Sequence, residues 1–175
     1  PHSVRVMASG DRLARAGDGI DHVAFPISAV VVQARNGPQD PMPLVSGMVG
    51  GEGFAGWPAI LGAPQWPHEV FAVIAGEVVI VTTDDLLAAV ETDPELLTLL
   101  LRYLHNFTMQ LTQNTIANLG HSIERRLARW LTMFHDRVGG DELHLTHEML
   151  AMLLNVRRAS VTDTLHVLEG ERLVR

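Results

Sequence analysis

The sequence of residues 145–175 is LTHEMLAMLLNVRRASVTDTLHVLEGERLVR, and it decides how the C-terminal part of the chain folds. Thr146 suits the N-cap of a short first helix, because its side-chain oxygen can accept a hydrogen bond from a backbone amide. Asn155 tolerates a left-handed backbone, so the pair Asn155-Val156 indicates a turn. A second helix then begins near Arg157, with an apolar side formed by Val161, Leu165 and Leu168. The segment predicts two short helices joined by a tight turn.

The exposed side of the second helix predicts a DNA-binding function. Its start carries Arg157, Arg158, Ser160 and Thr162, where a recognition helix places its base and phosphate contacts. The competing interpretation is a helical hairpin that serves only packing. The small Ala151 in the first helix, the Asn-Val corner and the paired arginines occur together in order, and this combination favours the helix-turn-helix.

A long helix precedes this unit and predicts a dimer. Asp93-Pro94-Glu95 suits the cap and first turn of a helix that runs to about Asn118. Its apolar residues recur at spacings of three and four, so one face is apolar for more than three turns. The chain's own domain, a second copy of the chain, or both must cover this face. The predicted dimer interface consists of Leu97, Leu101, Leu104, Thr108 and Leu111.

Polar residues flank this face midway, and a break follows the helix. The polar cluster comprises Thr108, Gln110, Thr112, Gln113, Asn114 and Thr115. It is interpreted as a register-setting or solvated patch, with contact to an effector as the alternative. Gly120-His121-Ser122 then predicts a hinge, with Ser122 as the N-cap of the next helix.

The part before residue 84 is rich in Gly and Pro and predicts a compact all-β domain. Turn residues occur at Asn36-Gly37-Pro38 and again at later Gly-containing sites. They separate short β-branched runs at Val23–Phe25, Ala29–Gln33, Val70–Ile74 and Val78–Val81. The predicted domains are a β sensor domain over 1–93, a dimerisation helix over 94–120 and a helix-turn-helix domain over 121–175.

Composition excludes several classes of protein. The chain has no Cys, which excludes disulfides, a thiolate zinc site and a cysteine-ligated iron–sulfur cluster. No stretch reaches the roughly 20 apolar residues of a membrane span, and no signal peptide opens the chain, so we expect a cytoplasmic protein. The net charge of −7 lies within residues 1–120, whereas residues 121–175 balance 8 Arg against 8 acids. The C-terminal part is therefore the better suited to approach phosphates.

These features resemble the Crp/Fnr family over most of the chain. Thr146 to Leu168 is similar to the helix-turn-helix of that family, Pro94 to Leu119 to its dimerisation helix, and Val23 to Val81 to its β-roll, including Phe25-Pro26-Ile27-Ser28-Ala29-Val30-Val31. The resemblance implies an α+β protein: an N-terminal β-roll of cupin-like jelly-roll type, a long dimerisation helix and a C-terminal winged helix-turn-helix. The wing would begin where the sequence stops at Arg175, so it is absent or not included.

The resemblance also implies a function, namely a homodimeric transcription regulator that binds a near-palindromic operator, with RNA polymerase as a candidate partner. By resemblance, Thr146, His147, Arg157 and Ser160 fall at phosphate or nearby contacts, and Arg158 falls where an Arg reads guanine. Members that read the best-known operator carry Glu and a further Arg where this chain has Ala159 and Asp163, so its operator should differ. Asp163 would repel phosphate, yet it could accept a hydrogen bond from a cytosine amine.

The effector is not identified by the sequence. Cyclic-nucleotide members carry a Gly-Glu pair and an Arg followed by Ser or Thr, whereas the comparable positions here are Gly56-Trp57 and His68-Glu69. Without that Arg no charge would neutralise a cyclic phosphate, so cyclic-nucleotide binding is not expected. The candidate effector pocket comprises Phe54, Gly56, Trp57, His68, Thr108 and Thr112, with plain core packing of the aromatic residues as the alternative.

Other functions are less well supported by the residues. The histidines of the β domain are scattered singly, so neither a metal site nor an enzyme of cupin type is expected. Haem sensing through His68 or His105 stays an alternative. The alternative to regulation is a protein-interaction module that kept the fold and lost DNA binding, which the negative total charge favours.

Overall fold

The computed structural model describes residues 2–35 and 43–175. Its N-terminal part is built from antiparallel strands, followed by helices to the C-terminus. The strands of the described ranges are β1 (His2–Met7), β2 (Arg12–Ala14), β3 (His22–Pro26), β4 (Val30–Arg35), β5 (Leu44–Val49), β6 (Glu69–Ile74) and β7 (Gly76–Thr82), with a 3-10 helix at Trp57–Leu61. The predicted turn Asn36-Gly37-Pro38 lies outside the described residues.

The strands form two sheets that close into a β-roll. One sheet has the order β1-β7-β3 and the other the order β2-β6-β4-β5, and all pairs are antiparallel. The chain passes from one sheet to the other between β6 and β7 at Ala75. A Cβ atom at Gly76 would lie 2.3 Å from the backbone nitrogen of Ala29, so this crossing requires glycine. The predicted β domain is confirmed as a β-roll.

The strand β4 is buried on both faces. Val31 belongs to the core inside the roll, while Val30, Val32 and Ala34 belong to a second cluster on the outer face of the sheet. This explains why the sequence of β4 is a continuous apolar run rather than an alternating one. β1, β2 and β5 are strands that the sequence patterns do not predict, since β1 is an exposed edge strand and β5 contains Gly47.

Two helices link the roll to the C-terminal part. They are α1 (Thr83–Thr92) and α2 (Pro94–Gly120). Asp93 caps α2 through its carboxylate, which accepts hydrogen bonds from the backbone amides of Glu95 at 2.9 Å and Leu96 at 3.1 Å. The predicted start of the helix is confirmed, and its end lies two residues beyond the expected Asn118.

The C-terminal part consists of α3 (Ile123–His135), α4 (His147–Leu154) and α5 (Arg158–Gly170). Ser122 caps α3 and Thr146 caps α4, as their sequence positions predict. Asn155 ends α4 with φ 50° and ψ 54°, which is the left-handed conformation expected of the turn. The helix-turn-helix is confirmed as α4, this turn and α5.

The β-roll and the C-terminal helices share one apolar cluster. The outer face of the four-stranded sheet contributes Val30, Val32, Ala34, Val45, Met48 and Val73, each at most 5% exposed. The helices contribute large side chains, among them Leu127, Trp130 and Phe134. Undocking of the helices would expose both sets to water, which opposes free rotation about the predicted hinge at Gly120–Ser122.

We predict that Met48→Ala lowers the free energy of unfolding by about 2–5 kcal/mol, because it removes a fully buried side chain from this shared cluster. Urea unfolding followed by tryptophan fluorescence and circular dichroism measures the change. The control is Met109→Ala, whose side chain is 48% exposed on α2, and its effect should stay within about 0.5 kcal/mol. Equal stabilities of the two variants would contradict the shared core.

Candidate nucleic-acid interface

The outward face of α5 is set by the residues that its other face buries. Val161, Thr164 and Leu168 are buried on the side that packs against α3 and α4. Because an α-helix has 3.6 residues per turn, the side directly opposite carries Ala159, Asp163 and His166. All three are exposed, so nothing in the described chain covers the centre of this face.

The N-terminus of α5 is open and flanked by positive charge. Arg157 is the N-cap residue, no side chain caps the helix, and its first turn contains no acid. The first backbone amides therefore retain the partial positive charge of a helix N-terminus, which attracts phosphate. Arg157 and Arg158 are exposed, and neither side chain makes a hydrogen bond or ion pair with another described residue. Both guanidinium groups are free for an anion or a base edge.

The remaining predicted contact residues surround this start. Thr146 is exposed at the N-cap of α4, and its hydroxyl accepts from the amide of Met149 at 3.2 Å. His147 follows it, with Nδ1 at 3.0 Å from the hydroxyl of Thr162 on α5. Ser160 is half-buried in the first turn of α5. The structure thus brings all seven predicted DNA-contacting residues to the α4–α5 unit.

The candidate effector residues are brought together only in part. Gly56, Trp57 and His68 line a small cavity inside the roll, together with Gln33 and Trp66. Gly56 has φ 96°, a left-handed value that favours glycine, and it begins the 3-10 helix. The cavity measures about 10 Å³, which is room for about one water molecule.

The polar groups at this cavity are few. The Trp57 indole donates to the Gln33 amide oxygen at 3.5 Å, and the ring of His68 lies 6.2 Å from that of Trp57. His68 Nε2 is buried and has no hydrogen-bond partner among the described residues. Burial, with a smaller contribution from Arg35, lowers the pKa of His68 and favours the neutral imidazole. Among those same residues, no three His, Asp or Glu side chains are grouped to hold a metal ion.

The other three candidate pocket residues lie elsewhere. Phe54 is buried in the core, where its ring stacks on Phe25 at 5.3 Å. Thr108 and Thr112 are exposed on α2, and their hydroxyls donate to backbone carbonyls of their own helix. They therefore do not line the cavity formed around Trp57.

The predicted dimer residues form a stripe along α2. Leu97, Leu101, Leu104, Thr108 and Leu111 are spaced by four and three residues in alternation, as in a coiled-coil seam. Leu101 is 44% exposed, and the other members are exposed or half-buried. The neighbouring side of α2 buries Leu100, Phe107 and Asn114 against the roll. The chain's own domain thus covers one face of α2 and part of Leu111, and it leaves the rest of this stripe accessible.

Two residues of the polar cluster have contacts that the sequence does not reveal. The side-chain amide of Gln110 accepts from the Met48 amide at 2.8 Å and donates to the Met48 carbonyl at 3.1 Å. Asn114 donates to the Ser46 carbonyl at 2.9 Å. Both satisfy backbone groups on the free edge of β5. The sequence signal that could have indicated these contacts is the spacing of four residues, which places both amides on the same, buried side of α2.

The comparisons with known proteins agree with this architecture. Residues 125–175 match the family model of the Crp-like helix-turn-helix domain. FixK2 from Bradyrhizobium japonicum matches the fold with a TM-score of 0.83 at 12% identity, over 98% of this chain and 86% of that chain. A CRP-family transcriptional regulator from Thermus thermophilus matches with a TM-score of 0.79 at 18% identity, over 97% of this chain and 86% of that chain. No curated protein matches the sequence significantly.

A third solved structure is the c-di-GMP-responsive global regulator CLP from Xanthomonas campestris. It matches with a TM-score of 0.74 at 18% identity, over 98% of this chain and 88% of that chain. The chain thus has the fold of a transcription regulator with a helix-turn-helix. The family it resembles is Crp/Fnr, and the resemblance stated from the sequence is confirmed. The matched structures are those of transcription regulators.

The helices of the described residues include no membrane-crossing helix. None of them combines the length and the apolar character that a membrane crossing requires.

Proposed function

We propose that this chain is a cytoplasmic transcription regulator that binds a near-palindromic DNA site as a homodimer. The observation that carries the proposal is the outward face of α5, where two free arginines flank an uncapped helix N-terminus. A recognition helix needs this combination, because phosphates set its orientation and base edges in the major groove set its specificity. The accessible stripe on α2 supports the dimer, since a second copy would cover its apolar residues.

Selection from a random DNA pool tests the proposal. We expect the chain to enrich a palindrome whose half-sites lie about one helical turn apart, since two recognition helices related by a two-fold axis meet successive major grooves. Binding to that site should weaken steeply with salt as phosphate contacts release counterions. Failure to enrich any sequence at low salt, with an intact dimer, would favour a protein-interaction module instead. The net charge of −7 is the observation that supports this second candidate.

A small effector controls this regulator in our proposal, and a cyclic nucleotide is not that effector. The cavity around Trp57 has room for about one water molecule, so a nucleotide enters only if the 3-10 helix or the Trp57 ring moves. Burial lowers the pKa of His68, which disfavours the charged imidazolium that would attract a phosphate. CLP responds to c-di-GMP, but these two features support a smaller, uncharged effector here. RNA polymerase remains the candidate protein partner.

The base preference of the site provides a further prediction. Asp163 lies at the centre of the outward face of α5 and makes no hydrogen bond within the described part of the chain. Its carboxylate can accept from the amino group of cytosine, whereas an Asn side chain pairs with adenine. We expect Asp163→Asn to change the preferred base at one position of each half-site from cytosine to adenine, with discrimination of about 1–3 kcal/mol.

The control for this change is Glu169→Gln, which removes an exposed carboxylate from the same helix more than one turn further on. Sequencing of the selected pools compares the unaltered chain with both variants. The control should select the original site. An identical site for Asp163→Asn would mean that Asp163 does not contact a base.

A further inference from the structure

Asn114 connects three parts of the molecule through one buried side chain. It lies on α2, is 4% exposed, and uses both halves of its amide. The nitrogen donates to the Ser46 carbonyl on β5 at 2.9 Å, and the oxygen accepts from Arg129 Nε on α3 at 3.0 Å. A carbonyl can only accept and an arginine can only donate, so the orientation of the amide is fixed by its partners.

A second pair of contacts holds α3 in the same place. Arg126, one turn before Arg129, donates to the Asn118 side-chain oxygen at 3.1 Å. Its guanidinium also donates to the Leu154 carbonyl at the end of α4. Two arginines of α3 thus bind two asparagines of α2, and one of them continues to the helix-turn-helix. These hydrogen bonds span the predicted hinge at Gly120–Ser122.

The hydrogen bonds between α2 and the β-roll are equally directional. Gln110 pairs with both backbone groups of Met48, one helical turn before Asn114. The two amides thereby satisfy the free edge of β5, which no other strand covers in the described sheet. A shift of α2 along β5 would break both contacts and leave buried polar groups unpaired, which is costly.

The apolar cluster cannot supply this precision. Burial of Trp130 and Leu127 in the cluster shared with the sheet is non-directional, so it favours docking without defining one angle. Hydrogen bonds with fixed partners do define it, and buried polar groups are known to select one arrangement among several. The direction of α3, and through it that of α5, therefore depends on the amide of Asn114.

We propose that Asn114 is a positioning residue that sets the angle between the dimerisation helix and the recognition helix. This inference rests on the proposed function. In a dimer formed through α2, the angle fixes the separation of the two copies of α5. A palindrome is bound tightly only when that separation matches the spacing of its half-sites.

The test compares the binding of Asn114→Ala to the selected palindrome and to a DNA containing one half-site. We expect the affinity for the palindrome to fall at least about 10-fold, while the affinity for the half-site is unchanged. Two linked binding modules gain roughly 10²–10⁴-fold in affinity over one module, so this loss would remove a substantial part of that gain. The matched control is Gln113→Ala, because Gln113 is an exposed amide one residue earlier with no hydrogen-bond partner among the described residues. The control should bind both DNAs as the unaltered chain does.

A second variant and a distance measurement apply if Asn114→Ala folds poorly. Arg129→Met removes the hydrogen bond between Asn114 and α3 and keeps the one between Asn114 and Ser46. It should therefore show the same selective loss of affinity for the palindrome. The chain has no Cys, so a spin label at Glu169→Cys reports the separation of the two α5 helices. We expect a narrow distance distribution in the otherwise unaltered chain and a broader one with Asn114→Ala or Arg129→Met.

The outcomes separate this inference from the proposed function. Equal losses of affinity for the palindrome and the half-site would overturn the inference, because they would assign Asn114 a merely structural role. Unchanged affinity for both DNAs would also overturn it. Both results leave the DNA-binding dimer intact. An unaltered chain that does not favour the palindrome over the half-site would overturn the proposed function and this inference together.

Discussion

Arg158→Ala is expected to abolish enrichment of the palindromic site from a random DNA pool. Arg158 is exposed in the first turn of α5, next to the outward-facing Ala159. A guanidinium that binds the O6 and N7 atoms of guanine contributes about 1–3 kcal/mol of discrimination, and a two-fold dimer loses this contact twice. The loss should therefore be specific to one guanine in each half-site.

Arg157→Ala provides the informative comparison. Arg157 is the N-cap residue of α5, at a helix start that can attract a phosphate. Its loss should weaken binding to all sequences to a similar degree and reduce the salt dependence, without changing the selected site. Arg5→Ala removes an exposed arginine of β1 and serves as the control for charge. An Arg158→Ala variant that still selects the original site would exclude Arg158 from base recognition.

Leu101→Glu is expected to prevent formation of the proposed dimer and to leave a monomer. Leu101 is 44% exposed in the middle of the stripe on α2, and a dimer through this stripe would bury both copies of the new carboxylate. Burial of an unpaired charge costs several kcal/mol per ion, which is comparable to the free energy of association at a modest interface. Sedimentation equilibrium measures the change of mass, and DNA binding should fall to the level of a single half-site.

Leu99→Glu is the matched control for this prediction. Leu99 is 63% exposed on the same helix but lies outside the stripe, so its replacement should leave the dimer intact. A Leu101→Glu chain that remains dimeric at the same concentration would show that the two copies associate elsewhere. Equal dissociation of both variants would instead indicate general destabilisation of α2.

Much of the recognition unit could be predicted because its determinants are local. Thr146 and Ser122 cap the following helices, and Asn155 takes the left-handed turn, through bonds and backbone preferences within a few residues. The exposure of Arg157 and Arg158 follows from the apolar spacing on the other side of α5. Periodicity and capping are sufficient here, because each depends only on near neighbours in the sequence.

The candidate effector site was less predictable, since it depends on which strands and helices meet. Gly56, Trp57 and His68 come together because β4, β6 and the 3-10 helix pack around one space. Thr108 and Thr112 share a helix with Phe107, whose ring lies 6.1 Å from that of Trp57, yet they face away from the roll. The rotation of α2 about its axis decides this, and it is fixed by contacts with β5.

The sequence alone determined the helix-turn-helix, the long α2 with its apolar stripe, and the β character of the N-terminal part. Capping, turn propensity and apolar periodicity act over a few residues and can be recognised in the chain itself. Only the tertiary structure decided that the helices share a core with the outer face of the sheet, and that Gln110 and Asn114 bind the edge of β5. Those contacts join residues more than 60 positions apart through backbone groups that every residue possesses, so no local pattern of side chains indicates them.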